Sequence, residues 1–393
     1  MISTDPVSLS EKETHTEARP ANKESKKKRW AKLTLLGSNW ALIICLTLAC
    51  IAPFVSPSVF WPMAFFGLLH PVFVLFNLVF ALFWLWRKKK KQALYSLGIL
   101  ILSIPFYGRQ FNFTLTGPAR APSYAIKIMS YNVKLFDYYN WSQNKDTRVK
   151  IFNQIENEKP AILCLQEFYT EDKGEFRNLQ LLKARLSMEY VHTEYTVTLR
   201  KDNHWGVATF SKYPIVNQGR IVFNNRNNNI CIYSDLLIGN DTVRVYNMHL
   251  QSVSFGYADL KFMNQVMSFE DAKDEMVASK NILRRMKRAS IKRANQSDAI
   301  AKHIAESPHP VLVCGDFNDT PVSYTYQSIS NRLRDAFHSG GPGFGKTFVN
   351  PFPLPRIDYI LCSKAFRTFE FGVLREKELS DHYPVVCKIA WQP

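Results

Sequence analysis

Two polar side chains follow a strongly apolar segment at a spacing that lets both reach one ligand. Residues 311–314 have the length and composition of a buried strand, and Gly315-Asp316-Phe317-Asn318 and then Asp319-Thr320-Pro321 predict a loop. Side chains two positions apart on an extended chain point the same way, so Asp316 and Asn318 can converge. Alone, the pair is weak evidence, because Asp and Asn at strand ends are common turn formers.

Other predicted strands end in the same kinds of residue. Acids, amides and histidines close or interrupt apolar runs at Asn132, Glu167, His249, Asp358 and the pair Asp381-His382. A turn or a strand cap explains any one of them. Together with Asp316 and Asn318, however, they are the side-chain types that bind a hard divalent cation and activate water. The set therefore predicts metal-assisted hydrolysis.

The order of these residues resembles the motif series of the endonuclease/exonuclease/phosphatase superfamily, from about residue 125 to the C-terminus. The resemblance implies an α/β fold, a four-layer α/β/β/α sandwich of two mixed sheets. It also implies a phosphoesterase, since the family includes apurinic-site endonucleases, deoxyribonucleases, deadenylases, inositol-polyphosphate phosphatases and sphingomyelinases. The matching segments are Tyr131-Asn132, Leu165-Gln166-Glu167, Gly206-Val207-Ala208-Thr209-Phe210-Ser211-Lys212-x-Pro214, Asn247-x-His249, Gly315-Asp316-Phe317-Asn318, Arg356-Ile357-Asp358-Tyr359 and Ser380-Asp381-His382-x-Pro384.

The resemblance implies which residues hold the metal and the attacking water. Glu167, with Asn132 and Asp381 near it, would hold Mg²⁺, with Mn²⁺ as an alternative, because hard oxygen ligands suit these ions. Asp316 would orient or deprotonate the attacking water. Asn318 would hold the phosphate or that water.

The resemblance also implies roles for the histidines. His382 would contact the phosphoryl oxygens and stabilise the charge that develops on them, and Asp358 would fix its tautomer through the other ring nitrogen. His249 would be a second phosphate contact or a general acid for the leaving group. His204 is a departure, since some nuclease members have tyrosine two residues before the Gly206 strand. It could still bind phosphate, but it weakens a transfer of apurinic-site specificity.

A single α/β domain over residues 124–393 is predicted to position these side chains. A helical region covers 275–305, and its basic residues suit either a solvated face or anionic headgroups. Residues 111–123, rich in Pro and polar residues, predict a linker. Strands are predicted at 125–132, 161–166, 206–211, 230–236, 242–250, 311–314, 357–362 and 384–391.

Residues 35–110 have the composition of a membrane region. Segments at about 35–55 and 60–86 are long enough to cross a hydrocarbon core of about 30 Å. The third, at about 93–108, is shorter and contains Pro105, so a buried soluble helix is its alternative. Two or three transmembrane helices are therefore predicted. Residues 1–34 are polar and basic, which predicts a disordered tail and not a signal peptide.

Basic runs predict the orientation of this region. Lys26-Lys27-Lys28-Arg29 precedes the first apolar segment and Arg87-Lys88-Lys89-Lys90-Lys91 follows the second, which places both runs in the cytoplasm. If the third segment crosses the membrane, the catalytic domain lies on the non-cytoplasmic side; if it does not, the domain is cytoplasmic. We expect an integral protein of the inner or plasma membrane with its catalytic domain outside the cytoplasm.

The overall charge does not choose between substrates. A formal net charge of +17 suits nucleic-acid backbones and anionic bilayers alike, so a nuclease and a lipid or small-metabolite phosphoesterase both remain open. A catalytically inactive membrane scaffold is the alternative to an enzyme, although the chemistry-bearing residues are all present. A pore is disfavoured because the apolar segments carry almost no ionisable residue. The expected partners are the phosphoester substrate and the bilayer, and no protein partner is predicted.

Overall fold

The computed structural model describes residues 23–114, 117–223, 229–253, 272–349, 356–376 and 379–392. It contains a group of N-terminal helices followed by an α/β domain with two six-stranded sheets. We call residues 23–110 the N-terminal bundle, and for residues 124–392 we keep the name that the sequence prediction used, the catalytic domain.

The helices of the N-terminal bundle pack around a small apolar cluster that includes Leu46, Ala49 and Ile99. Polar side chains also lie inside it: the Asn39 side chain accepts a hydrogen bond from the Trp84 indole at 2.7 Å and donates one to Ser96 at 2.8 Å. The helices are α1 (Lys23–Ile51), α2 (Pro57–Phe60), α3 (Met63–Leu68), α4 (His70–Trp86) and α5 (Lys90–Gly108).

The bundle differs from its sequence prediction in two respects. Among the described helices, only the one over residues 26–54 is long and apolar enough to cross a membrane, where two or three were predicted. The predicted segment 60–86 is divided at Leu69 because α4 begins anew at His70-Pro71, where proline suits the first helical turn. Helix α1 also begins inside the predicted disordered tail, since Lys, Glu and Arg are good helix formers; residues 1–22 lie outside the described residues.

Both sheets of the catalytic domain are mixed. The first has the order β11-β12-β1-β2-β4-β3 and the second β5-β6-β7-β8-β10-β9, where the strands are β1 (Ile126–Asn132), β2 (Ile162–Glu171), β3 (Tyr190–Leu199), β4 (Asn203–Ser211), β5 (Ile215–Ile221), β6 (Ile230–Ile238), β7 (Asp241–His249), β8 (Val311–Asp316), β9 (Arg334–Asp335), β10 (Asp358–Cys362), β11 (Phe366–Val373) and β12 (Val385–Trp391). Strands β1 and β2 are parallel, as are β7 and β8, and the other pairs are antiparallel.

The two sheets pack face to face, and helices cover their outer faces. Ile128 and Cys164 of the first sheet share one buried cluster with Val245 and Leu312 of the second. The outer helices are α6 (Thr147–Glu158), α7 (Asn178–Leu186), α8 (Ala272–Ala305) and α9 (Tyr324–Ser330). Helices α6 and α7 pack on the first sheet, and α8 and α9 pack on the second. This is the expected α/β arrangement with two mixed sheets.

Candidate active site

The predicted site residues meet at one end of the two sheets. Asn132 ends β1, and His249 and Asp316 end β7 and β8, which are parallel. Asp358 begins β10, which runs antiparallel to β8, so it reaches the same edge. Asp316 therefore lies opposite His249 on one neighbouring strand and opposite Asp358 on the other. We call this edge of the sheets the site end.

Asp316 lies at the centre of the group and is buried. Its Oδ1 accepts the backbone N–H of Asn318 at 2.8 Å, and its Oδ2 accepts the amides of Asn132 at 3.1 Å and Asn318 at 3.2 Å. Burial raises the pKa of Asp316 to about 6, Asp358 adds to this, and His382 and His249 oppose it. Near neutral pH the carboxyl is therefore ionised yet basic enough to accept a proton from water.

His382 is held from both sides by carboxylates. Its Nδ1 lies 2.9 and 3.1 Å from the Asp358 oxygens, and its Nε2 lies 3.7 Å from Asp316 Oδ2. The ring of Phe348 packs edge-on against it at 5.1 Å. Burial opposes protonation, but Asp358 and Asp316 outweigh it and hold the pKa of His382 well above its usual range. His382 is thus a cationic donor for an anionic substrate.

His249 has the opposite electrostatic character. Its Nε2 lies 3.6 Å from Glu167 Oε1 and 3.7 Å from Asp316 Oδ2. Burial lowers its pKa, with Asp316 opposing, so this ring is neutral near pH 7. The Nε2 atom is buried and has no hydrogen-bond partner. It is therefore free to meet a ligand in the site.

An irregularity in β2 aims Glu167 toward the other ligands. The pairing of β2 with β4 shifts register between Leu165 and Phe168, and Glu167 takes a left-handed backbone conformation with φ of 46°. A bulge of this kind turns a side chain out of the regular alternation. Glu167 Oε1 lies 3.4 Å from the amide of Asn132.

Glu167, Asp381 and Asn132 fit a hard divalent cation. Burial raises the pKa of Glu167, and the negative charge of Asp381 raises it further. A cation between the two carboxylates would stabilise the ionised form of Glu167, and the amide oxygen of Asn132 is a third hard donor. Asp381 is also paired with Lys134 at 3.2 Å, so an arriving cation would compete with this ammonium.

A second group of ligand-type atoms is better explained without a metal. Asp316, Asp358 and His382 place one such atom each within 4.8 Å of one another. Both ring nitrogens of His382 already face carboxylates, and the Nδ1 bond to Asp358 is short. A cation here would have to displace the proton that this histidine shares with Asp358. The geometry favours a hydrogen-bonded catalytic group.

Two buried amides join the two sheets beneath the site, and neither was assigned a role from the sequence. Gln166 donates to the Asn247 side-chain oxygen at 2.7 Å, joining the first sheet to the second. The Asn247 amide donates across to the carbonyls of Leu165 and Ala208 at 3.2 and 3.0 Å. Their signals in the sequence were a polar residue inside an apolar run and a place within the motif segments Leu165-Gln166-Glu167 and Asn247-x-His249. These bonds fix the spacing of the two halves of the site.

Gly315 permits the close approach of β7 and β8. Its φ is 143°, and a Cβ there would collide with the carbonyl oxygen of Met248. Steric hindrance therefore requires glycine at position 315, immediately before the aspartate that is a candidate for the chemistry.

His204 does not join the group. It lies on β4, where its Nε2 is 3.2 Å from Asp172 and its ring stacks on Tyr195 at 4.4 Å. A cavity of about 660 Å³ also lies elsewhere, between Arg109 and His338, and no predicted site residue lines it. Substrate contact by His204 remains a prediction.

Comparisons with known proteins bear on this geometry. Residues 129–382 match the model of the endonuclease/exonuclease/phosphatase family, which covers more than half of the chain and contains every residue placed in the site. The chain belongs to this family. Residues 32–110 match a separate domain of unknown function, DUF8431. This match covers most of the N-terminal bundle.

Solved structures of the family are distant from this chain. The human Nocturnin catalytic domain is 19% identical, with a TM-score of 0.48, over 73% of this chain and 98% of that one. A family protein from Beutenbergia cavernae is 16% identical, with a TM-score of 0.47, over 68% and 72%. The mannosyl-6-phosphatase of Bacteroides thetaiotaomicron is 17% identical, with a TM-score of 0.44, over 68% and 100%. A comparison with curated proteins found no match.

Proposed function

We propose that this protein is a membrane-anchored phosphoesterase that hydrolyses a phosphodiester or phosphomonoester with the help of Mg²⁺ or Mn²⁺. The supporting observation is the arrangement around Asp316: a buried carboxylate with a raised pKa, next to a cationic His382 and a neutral His249. Paired groups whose environments push their pKa values apart are typical of acid–base catalysis. Family membership alone would leave nuclease and phosphatase chemistry equally open.

In the proposed reaction, water attacks phosphorus and Asp316 takes its proton. The new P–O bond forms as the bond to the leaving alcohol oxygen breaks; that oxygen takes up a proton from solvent, and Asp316 later returns its proton to solvent. His382, oriented by Asp358, donates to the phosphoryl oxygens as their charge rises, and His249 donates a neutral N–H to the same group. A cation held by Glu167, Asp381 and Asn132 would supply positive charge at the scissile phosphate.

The proposed membrane anchor is supported by the N-terminal bundle, which buries polar side chains and exposes apolar ones. Polar side chains such as Asn39, Asn77 and Ser96 are buried within it. A soluble bundle would show the reverse pattern, whereas lipid-facing helices expose apolar residues. The side chains of Leu75, Val79, Leu82, Leu94, Ile101, Leu102 and Ile104 are all more than half exposed.

The course of the bundle supports a non-cytoplasmic catalytic domain. Phe54, after α1, and His70, at the start of α4, both lie against Phe106 near the end of α5. Thus α1, α4 and α5 run alternately up and down, with the basic runs at 26–29 and 87–91 at the end away from the catalytic domain. With α1 as the membrane-crossing helix, the positive-inside rule puts those runs in the cytoplasm and the domain outside.

The proposal is tested with the full chain in detergent micelles, using bis(p-nitrophenyl) phosphate and p-nitrophenyl phosphate. We expect hydrolysis with Mg²⁺ that disappears with chelator and in Asp316→Asn. Asp241→Asn, an exposed position at the far end of β7, is the matched control and should keep full activity. Equal rates in both variants would show that the activity does not arise at this site.

A further inference from the structure

The N-terminal bundle packs on the catalytic domain at the site end of the sheets. Gly67, at the end of α3, lies against the carbonyl of Val322 so closely that a Cβ would collide with it. Val322 belongs to the loop that follows Asp316. At the same end of the bundle, after α5, Arg356 donates to the carbonyl of Arg109 at 3.0 Å, and Arg356 is separated from Asp358 by one residue. Both contacts lie within a few residues of catalytic side chains.

One loop, residues 343–348, contacts both the end of the bundle and the catalytic histidine, and we call it the site loop. Asn112, just after α5, exchanges backbone hydrogen bonds with Gly343 at 2.8 and 3.1 Å, and Phe111 packs on Phe344 at 4.8 Å. The same loop continues to Phe348, whose ring lies on His382. The active site is therefore built directly against the membrane region and does not hang from it on a free linker.

Helix α8 extends past the sheets on this side. Its residue Gln296 accepts a hydrogen bond from the backbone of Gln251, just beyond the end of β7, whereas His303 contacts Tyr246 in the middle of that strand. Residues 280–292, which we call the basic segment, therefore project beyond the site end by about 20 Å. They are rich in Lys and Arg.

The basic segment lies beside the bundle. The Lys287 ammonium lies over the ring of Trp61 at 5.2 Å, and Ser58 donates to Asn295 at 2.7 Å. Residues 56–61 connect α1 to the rest of the bundle at its catalytic-domain end. Cations held next to an aromatic ring at the end of an apolar helix are typical of the headgroup layer of a bilayer.

Exposed apolar side chains complete this surface. Phe113 and Phe344 are 57% and 47% exposed where the bundle meets the site loop, and Val59 and Phe60 are 84% and 53% exposed at the bundle's end. Exposure of these side chains to water is unfavourable. At a bilayer surface, beside Lys and Arg, they insert among the acyl chains.

We propose that the site end faces the bilayer in which the bundle is anchored, and that the substrate is a lipid phosphoester of that leaflet. This rests on the proposed function, both the hydrolysis and the anchor. A lipid presents its phosphate at the depth of the basic segment and the Phe113–Phe344 surface without leaving the membrane. A polynucleotide would have to enter between the domain and the bilayer surface. There the headgroup phosphates would compete with it for the same Lys and Arg side chains.

The test uses the full chain reconstituted in phosphatidylcholine vesicles that contain phosphatidylglycerol or phosphatidic acid, with Mg²⁺. Release of headgroup or phosphate is compared with hydrolysis of the soluble p-nitrophenyl esters and of single-stranded DNA and RNA. We expect kcat/KM for a vesicle lipid to exceed that for the soluble esters by about tenfold or more. Cleavage of soluble esters or nucleic acid with the lipids untouched would overturn the lipid assignment while keeping the phosphoesterase. Inactivity toward all of them would instead remove the proposed function.

Paired variants locate the effect on the surface. Phe113→Ser with Phe344→Ser should lower activity on vesicle lipid by about tenfold and leave hydrolysis of the soluble ester unchanged, because both side chains lie on the surface. Val216→Ser is the control, since Val216 is similarly exposed, at 55%, but lies at the opposite end of the sheets. An equal loss on both substrates in the double variant, or a lipid-specific loss in the control, would contradict the proposed orientation.

Discussion

Replacing Asp358 with asparagine removes the charge that orients His382 and leaves the shape of the site nearly unchanged. Both residues are buried, and the carboxylate accepts the His382 Nδ1–H at 2.9 Å. A hydrogen bond between charged groups contributes about 1.5–3 kcal/mol. If this contribution is made in the transition state, its loss lowers kcat by about 10- to 100-fold. The effect should fall on kcat more than on KM, because the charge on the phosphoryl oxygens grows during the reaction.

The assay is steady-state hydrolysis of bis(p-nitrophenyl) phosphate with saturating Mg²⁺, together with thermal unfolding of each variant. Asp241→Asn provides the control for an aspartate-to-asparagine change at the exposed end of β7 in the same sheet. The reasoning is refuted if Asp358→Asn retains wild-type kcat while remaining folded. It is also refuted if kcat falls only in proportion to a loss of folded protein.

Three further predictions concern the metal site, the backbone and the pH dependence of stability. Glu167→Gln should raise the Mg²⁺ concentration for half-maximal activity by about tenfold or more, measured by titration; an unchanged requirement would remove Glu167 from the metal site. Gly315→Ala should cost about 2–4 kcal/mol in urea unfolding, because its Cβ meets the Met248 carbonyl at a positive φ; wild-type stability would disprove this contact. Burial lowers the pKa of His192 to about 4, so its contribution to stability is complete above pH 6.5 and is lost as pH falls toward 4. His192→Gln should therefore remove about 3 kcal/mol of the stability difference between pH 7.5 and 4, measured by urea unfolding at each pH, whereas an identical pH dependence in both proteins would exclude this role.

The clustering of the candidate residues was predictable because they stand at the ends of apolar runs. Asn132, Asp316 and Asp358 interrupt or close strands that are buried on both faces, and strand ends of this kind collect at one edge of a sheet. His204 carries a similar signal, but it lies away from the group because β4 begins beyond the edge at which the others meet. Periodicity along one strand does not say how far that strand extends past its neighbours.

The remaining features depend on long-range contacts that local sequence does not encode. Strands β3 and β5 are half exposed along most of their length, so they lack the apolar run that marks a buried strand. To predict the hydrogen bond between Gln166 and Asn247, one must know how the two sheets face each other. The ion pair between Lys134 and Asp381 could not be predicted either, because the two residues are distant in the chain.

The bundle shows the limit of hydropathy as a guide to helix boundaries. Residues 60–86 are apolar enough to suggest one long helix, yet the chain turns at Leu69 and fits Gly67 against Val322. That turn is explained by packing on the catalytic domain. Composition shows how apolar the segment is, but it does not show this contact.

The most direct test of the central claim is hydrolysis of bis(p-nitrophenyl) phosphate by the full chain in ¹⁸O-labelled water. Direct attack of water on phosphorus predicts that one labelled oxygen enters the phosphate product and none enters p-nitrophenol. Labelling should require Mg²⁺ and be absent in Asp316→Asn. Label in p-nitrophenol, or undiminished turnover in Asp316→Asn, would contradict attack by a water that Asp316 activates.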